Sequence, residues 1–144
     1  MRFAIPLFLS ATIIIPLVGC GSDGRKPVYP AKGRVVFKGQ PTPHAQVSLH
    51  PVSSADKEAP HPTGKVLEDG TFLLTSYHGN DGAPAGDYTV TVQWWLSTAK
   101  KGSREGDGET INRLPARYGR PETSGLKVRI DPGDNELPVI KLTQ

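Results

Sequence analysis

Residues 86–95 read GDYTVTVQWW, and this stretch decides the fold. Tyr88, Val90, Val92 and Trp94 fall on one side of an extended chain, and Thr89, Thr91 and Gln93 fall on the other. Such alternation is the period of a strand with one face buried and one face wet. Trp95 begins the opposite face from Trp94, so it reads as an exposed contact or as a cover for the chain that follows.

The same period recurs on both sides of this segment. In KGRVVFKG (32–39), Val35 and Phe37 oppose Val36, and GQPTP then breaks the chain. HAQVSLH (44–50) turns Ala45, Val47 and Leu49 inward, and a Pro- and Ser-bearing loop covers about 51–63. GKVLEDGTFLLTSY (64–77) predicts a hairpin with Phe72 and Leu74 in the core, turning at Asp69-Gly70 in a type I′ geometry. GLKVRI (125–130) sets Leu126, Val128 and Ile130 against Lys127 and Arg129; DPGDN turns, and ELPVIKLT (136–143) closes the chain. Pro138 lacks a ladder donor, which places that last strand at or near a sheet edge. Seven half-polar strands in about 110 residues predict an all-β domain, a seven-stranded antiparallel β-sandwich. No segment holds a helical period, and no internal repeat is present.

Composition agrees. The 144 residues suit one domain, and 16 Gly with 14 Pro supply the turns of a chain of short strands. The net charge of +3 comes from scattered Lys and Arg without interleaved aromatics, which argues against a nucleic-acid partner. A single cysteine excludes an internal disulfide and a metal–thiolate cluster.

That cysteine, Cys20, ends an apolar run. Arg2 provides a positive start and Phe3 to Val18 an uncharged stretch interrupted by Pro6 and Pro16, shorter than the roughly 20 residues of a spanning helix. Residues 1–19 therefore read as a secretory signal. Leu17-Val18-Gly19-Cys20 resembles the lipobox of bacterial lipoproteins, whose small residues let a lipid transferase and then a peptidase reach an uncrowded backbone. The resemblance implies cleavage between Gly19 and Cys20 and acylation of Cys20, several acyl chains anchoring far more durably than one. Gly21 is not the Asp that favours inner-membrane retention in that family, so a cell with two membranes would carry the protein in its outer one. GSDGRKPVYP (21–30) reads as a flexible tether. The expected organisation is a signal peptide at 1–19, the lipidated cysteine and tether at 20–30, and the sandwich at 31–144.

Three motifs in that last segment carry a family resemblance. Gly33, Val35, Gly39, Pro41, Ala45 and Val47 fit an opening hairpin; Asp69, Gly70 and Phe72 fit a "DG-F" turn; Ala85-Gly86-Asp87-Tyr88 fits a "pGeY" strand start. Together they resemble the carboxypeptidase regulatory-like, or transthyretin-like, β-sandwich family, an Ig-like architecture, over about residues 29–143, and RLPARYGRPETSGLKVRI (113–130) is similar to a segment of short bacterial lipoproteins of this group. The resemblance implies a non-catalytic accessory or adhesion-like module. It is a resemblance of turn and core residues, which speak to fold more than to function. The Tyr88 ring is expected inward, with its hydroxyl on a neighbouring backbone group.

Residues for chemistry are sparse. Enzymes of the transthyretin-like group that hydrolyse ureides end in a Tyr-Arg-Gly-Ser type tetrapeptide, whereas this chain ends Lys141-Leu142-Thr143-Gln144. Intradiol dioxygenases hold iron with two Tyr and two His, a spacing not matched here. His44 and His50 share a face but stand about 20 Å apart along one strand, and His61 and His78 lie in loops that can approach each other. No Asp-rich loop of calcium-binding density appears, and Asp69, Asp81 and Asp87 read as turn residues. Ser53, Ser54 and Ser76 lack a nucleophile elbow. A Lys32 or Lys38 crosslink to Asn135 competes with the turn that already explains this Asn. No catalytic residue, metal or cofactor is expected.

The segment 96–121 is long, charged and Gly-rich at first, which predicts a mobile loop, before Ile111, Leu114 and Tyr118 return to the sandwich. If a ligand is recognised, this loop acts together with YHGNDGAPAG (77–86), giving Tyr77, His78, Asn80, Asp81, Trp95, Arg113, Arg117 and Tyr118 as candidate contacts. The expected function is that of a non-enzymatic, lipid-anchored envelope protein whose sandwich serves a structural or binding role, with an envelope protein or a glycan as partner. The alternatives are a carbohydrate- or peptide-binding accessory module and, from another class, a small hydrolase or metal enzyme.

Overall fold

The computed structural model describes residues 24–53, 59–99, 102, 104 and 108–144. The expected signal segment at 1–19, the expected Gly19–Cys20 cleavage point and Cys20 itself lie outside the described residues. Two sheets enclose one core. β1 (Ala31–Phe37) is the centre of a five-stranded sheet, pairing in parallel with β10 (Asn135–Glu136) and β11 (Ile140–Leu142) along one side. Along its other side it pairs antiparallel with β2 (Gln40–Pro41) and β5 (Thr71–Leu73). The four-stranded sheet runs β4 (Thr63–Lys65), β3 (Gln46–Pro51), β6 (Gly86–Gln93), β9 (Leu126–Ile130), antiparallel throughout. A separate hairpin joins β7 (Trp95–Ser97) to β8 (Thr110–Asn112).

The alternation read from the sequence points the same side chains inward. Val35, Val47, Leu49, Phe72, Leu74, Val90 and Val92 are fully buried, with Val128 and Ile130 beside them and Trp94 and Leu126 packed at the margin. Each buried Val, Leu or Phe removes enough apolar surface to contribute about 1.5–3 kcal/mol. Tyr88 is 4 % exposed and its hydroxyl donates to the Pro84 carbonyl at 2.8 Å, bracing the corner where β6 begins. Burial, with the neighbouring Tyr77 adding to it, pushes the Tyr88 phenol up from its ordinary pKa.

Several expectations are corrected. Eleven strands, not seven, occur among the described residues. The five-stranded sheet is mixed rather than antiparallel, because β10 and β11 run parallel to β1. Pro138 splits the closing strand: with no N–H to donate, it stands between β10 and β11. The strands flanking Asp69-Gly70 do not pair as one ladder; β4 joins β3 and β5 joins β1, so the chain changes sheets at this turn. Nor is the turn type I′, since Gly70 takes positive φ (87°) and Asp69 does not. The two-residue connection with positive φ at both positions is Lys38-Gly39 (52° and 79°), between β1 and β2.

The segment 96–121, expected as loop, contains most of the β7–β8 hairpin, a 3₁₀ turn at Ala116–Gly119 and the start of α1 (Pro121–Ser124). The 3₁₀ turn and α1 lie against β6. Their weight falls on the outer face of the four-stranded sheet, where Thr91 and Ser124 are buried. Leu114 and Tyr118 join the core as expected, whereas Ile111 stays 43 % exposed.

Candidate functional site

The expected binding residues fall into groups at opposite ends of β6. Its eight residues span roughly 25 Å. The 77–86 loop leads into the first end, and Trp95 with Arg113 stands beyond the second, so the two loops do not form one site.

At the first end the loop is braced from within. The Asp81 carboxylate accepts the backbone N–H groups of Ser76 (2.7 Å), Tyr77 (3.0 Å) and His78 (2.9 Å). Burial pushes this carboxyl up, but the three donors outweigh it and hold it below the ordinary carboxylate range. The Asn80 N–H, at a positive φ of 61°, donates to Thr75 Oγ1, and the Ser76 hydroxyl donates to the Gly82 carbonyl. Residues 25–29 close over this loop: Tyr29 and Ala83 exchange two backbone hydrogen bonds, and the Arg25 guanidinium lies 5.3 Å from the Tyr77 ring centre and 3.1 Å from His78 Nε2. The Lys26 N–H donates to the Tyr77 hydroxyl. A cleft of about 400 Å³ beside it is lined by Lys26, Val52, Ala59, Pro84 and Asp87 among others.

At the far end, the Asn112 side-chain oxygen accepts from the N–H groups of Trp94 (3.0 Å) and Leu114 (3.2 Å), fixing how the chain leaves β6 and returns. Trp94 Nε1 donates to the Pro43 carbonyl at 2.8 Å, which orients that indole inward. Trp95 is 50 % exposed, on the hairpin face it shares with Ser97, Thr110 and Asn112. Arg113 contributes its backbone N–H to the Trp94 carbonyl.

Arg117 and Tyr118 serve the fold. Tyr118 is buried, and its hydroxyl accepts from the Thr143 N–H and from Arg117 Nη2, both at 3.0 Å. Arg117 also donates to the carbonyls of Thr143 and Gln144. Burial raises the Tyr118 phenol, yet the donors from Thr143 and Arg117 outweigh it and bring the pKa down.

The histidines pair otherwise than expected. His61 meets His50, not His78: the two rings stand 5.4 Å apart, edge to face at 64°. His50 Nε2 is 2.9 Å from Thr91 Oγ1. Burial, then the neighbouring His61, lower the His50 pKa, against a smaller opposing pull from Glu122 of α1. His44 precedes β3, takes a positive φ of 66° and pairs with Glu68 at 3.1 Å. No group of three or more His, Cys, Asp or Glu side chains is gathered around a metal-sized space among the described residues. Asn135 donates to the carbonyls of Asp131 and Gly133, and its oxygen accepts the Asp131 N–H, so it works as a turn residue. Lys32 pairs with Glu136 at 3.6 Å.

Neither a family model nor a curated protein matches this chain. Two solved structures are similar to it. A DUF3823 family protein from Parabacteroides merdae shares 17 % identity at a TM-score of 0.37, over 83 % of this chain and 46 % of that one. This chain therefore spans less than half the length of that neighbour. A protein from Pseudomonas aeruginosa described as a candidate for carbohydrate binding shares 12 % identity at a TM-score of 0.40, over 85 % of this chain and 93 % of that one. Neither likeness is close enough to say what this chain binds.

Proposed function

We propose that this chain is a non-enzymatic, lipid-anchored protein of the cell envelope, a carboxypeptidase regulatory-like β-sandwich that holds a contact surface away from the membrane. The observation that supports it is the polarity of β6. The tether enters against Ala83 at one end, and the half-exposed Trp95 stands beyond the other. Lipid on Cys20 secures the first end, and the domain's length displaces the second by roughly 25 Å. The outer membrane is the favoured address in a diderm cell, after export across the inner one, because Gly21 follows the cysteine. Asp81, Asn135 and the Tyr88 hydroxyl are spent on turn and corner hydrogen bonds, which favours a structural role for them over a catalytic one. Membrane fractionation and intact mass of Cys20→Ser test the anchor. The expected result is an uncleaved, unacylated precursor; a variant processed and located like the parent overturns the reading.

A second reading, a carbohydrate-binding accessory module, draws on the face that carries Trp95. An exposed indole beside Ser97 and Thr110 offers a sugar both an apolar platform and hydroxyl partners. A glycan array probed with the full chain in detergent tests it.

A further inference from the structure

We propose that His50 and His61 form an open two-histidine site for a divalent transition cation of the Zn²⁺ or Cu²⁺ class, on the outer face of the four-stranded sheet. The register places them together. β3 and β4 pair Gln46 with Lys65 and Ser48 with Thr63, and the Leu49 N–H continues the ladder to the Pro62 carbonyl at 2.8 Å. One residue further along the same register, His50 stands across from His61. Directly opposed residues of an antiparallel pair have Cβ atoms about 5 Å apart, which suits two imidazoles converging on one ion.

The ring separation agrees. Imidazoles bound at about 2.0–2.1 Å to a tetrahedral ion have ring centres roughly 5 Å apart, and these stand at 5.4 Å. The neighbour on the other side of β3 bears on the tautomer. His50 Nε2 lies 2.9 Å from Thr91 Oγ1, which is itself 3.5 Å from the Ser48 carbonyl; in the tautomer with the proton on Nε2, this hydroxyl accepts it and the Nδ1 lone pair is left to a ligand. A metal-ligating histidine is usually oriented by an acceptor on its second nitrogen, most often a carboxylate, a backbone carbonyl or a water, and here a hydroxyl stands in that place. Among the described residues no third protein ligand is gathered beside the pair, so the remaining coordination positions are open to solvent or to another donor. The site is distinct from both ends of β6 and independent of the lipid anchor.

Equilibrium dialysis of the untagged full chain in detergent micelles against Zn²⁺ at neutral pH tests it. The expected result is one ion per chain with a Kd of about 10 µM, weakened at least roughly tenfold in His61→Ala and in His50→Gln. His78→Ala serves as the control and binds as the parent does. His61 is exposed, so His61→Ala keeps the parent's unfolding midpoint without metal and loses the midpoint rise that Zn²⁺ gives the parent. Absence of saturable binding, binding unchanged in His61→Ala, or an equal loss in His78→Ala overturns the proposal. An unbound parent leaves an edge-to-face ring contact as the whole role of the pair.

Discussion

The two ends of β6 are built from similar residues and put to opposite uses. Before Gly86, the polar groups turn back on the chain: Asp81 takes three backbone donors, Ser76 and Thr75 take two more partners, and Arg25 and Lys26 close over Tyr77. Beyond Gln93, Asn112, the Trp94 indole and the Arg113 N–H brace the exit of the strand, while Trp95 and Ile111 stand half in solvent. A loop whose hydrogen-bonding capacity is consumed internally is rigid and has little left to offer a ligand. An exposed indole with unburied hydroxyl neighbours has its capacity facing outward. The first end holds residues 24–30 against the domain, and in the proposed function the second is the contact end.

The largest effect expected from breaking that contrast lies at Gly82. Its φ is +95°, and a Cβ there would overlap the Tyr29 carbonyl oxygen. Gly82→Ala therefore forces apart the Tyr29–Ala83 pair and strains the backbone, at a cost of about 2–4 kcal/mol in chemical denaturation. Limited proteolysis should open residues 24–30 in parallel. A variant with the parent's midpoint and protease pattern would show that residues 24–30 are not seated by this contact.

Asp81→Ala comes next. It orphans three N–H groups in a part-buried loop, and the expected loss is about 1–2 kcal/mol. The sign of the pH dependence follows from the depressed pKa. The carboxylate's contribution is fully present above the unfolded carboxyl's ordinary value and disappears as pH falls through the lower folded value. The parent should therefore lose stability on acidification through that window, and Asp81→Ala should lose less. Parallel acid limbs in the two proteins would remove Asp81 as a brace.

These residues also show what the sequence made legible. The core faces of β1, β3, β6 and β9 follow from a period of two, a local signal that burial enforces along each strand. Tyr88 was readable for the same reason, because its place at the head of an alternating strand fixes which way the ring points. The parallel pairing of β1 with β10 and β11 was not readable, since about 100 residues separate Ala31 from Asn135 and no turn links them. The β7–β8 hairpin hid because three-residue strands across a polar insert are too short to show alternation. Splitting the expected binding loops between two ends of one strand needed only the strand's length, which the sequence did contain: eight residues at about 3.3 Å each. The His50–His61 pair needed the β3–β4 register, which the intervening loop conceals.

The smallest effect on stability is expected at Trp95, and it separates contact from scaffold most cleanly. The indole is half exposed, and the backbone pairing of Trp95 with Asn112 does not depend on it. Trp95→Ala should shift the unfolding free energy by less than about 0.5 kcal/mol, as surface substitutions do. Trp94→Ala should cost far more, because its indole packs at the core margin and donates to Pro43. Retention on any glycan surface that holds the parent should vanish in Trp95→Ala while the domain stays folded. A Trp95 variant that unfolds like Trp94→Ala would make this indole part of the scaffold, and one that keeps full retention would move the contact surface off the hairpin.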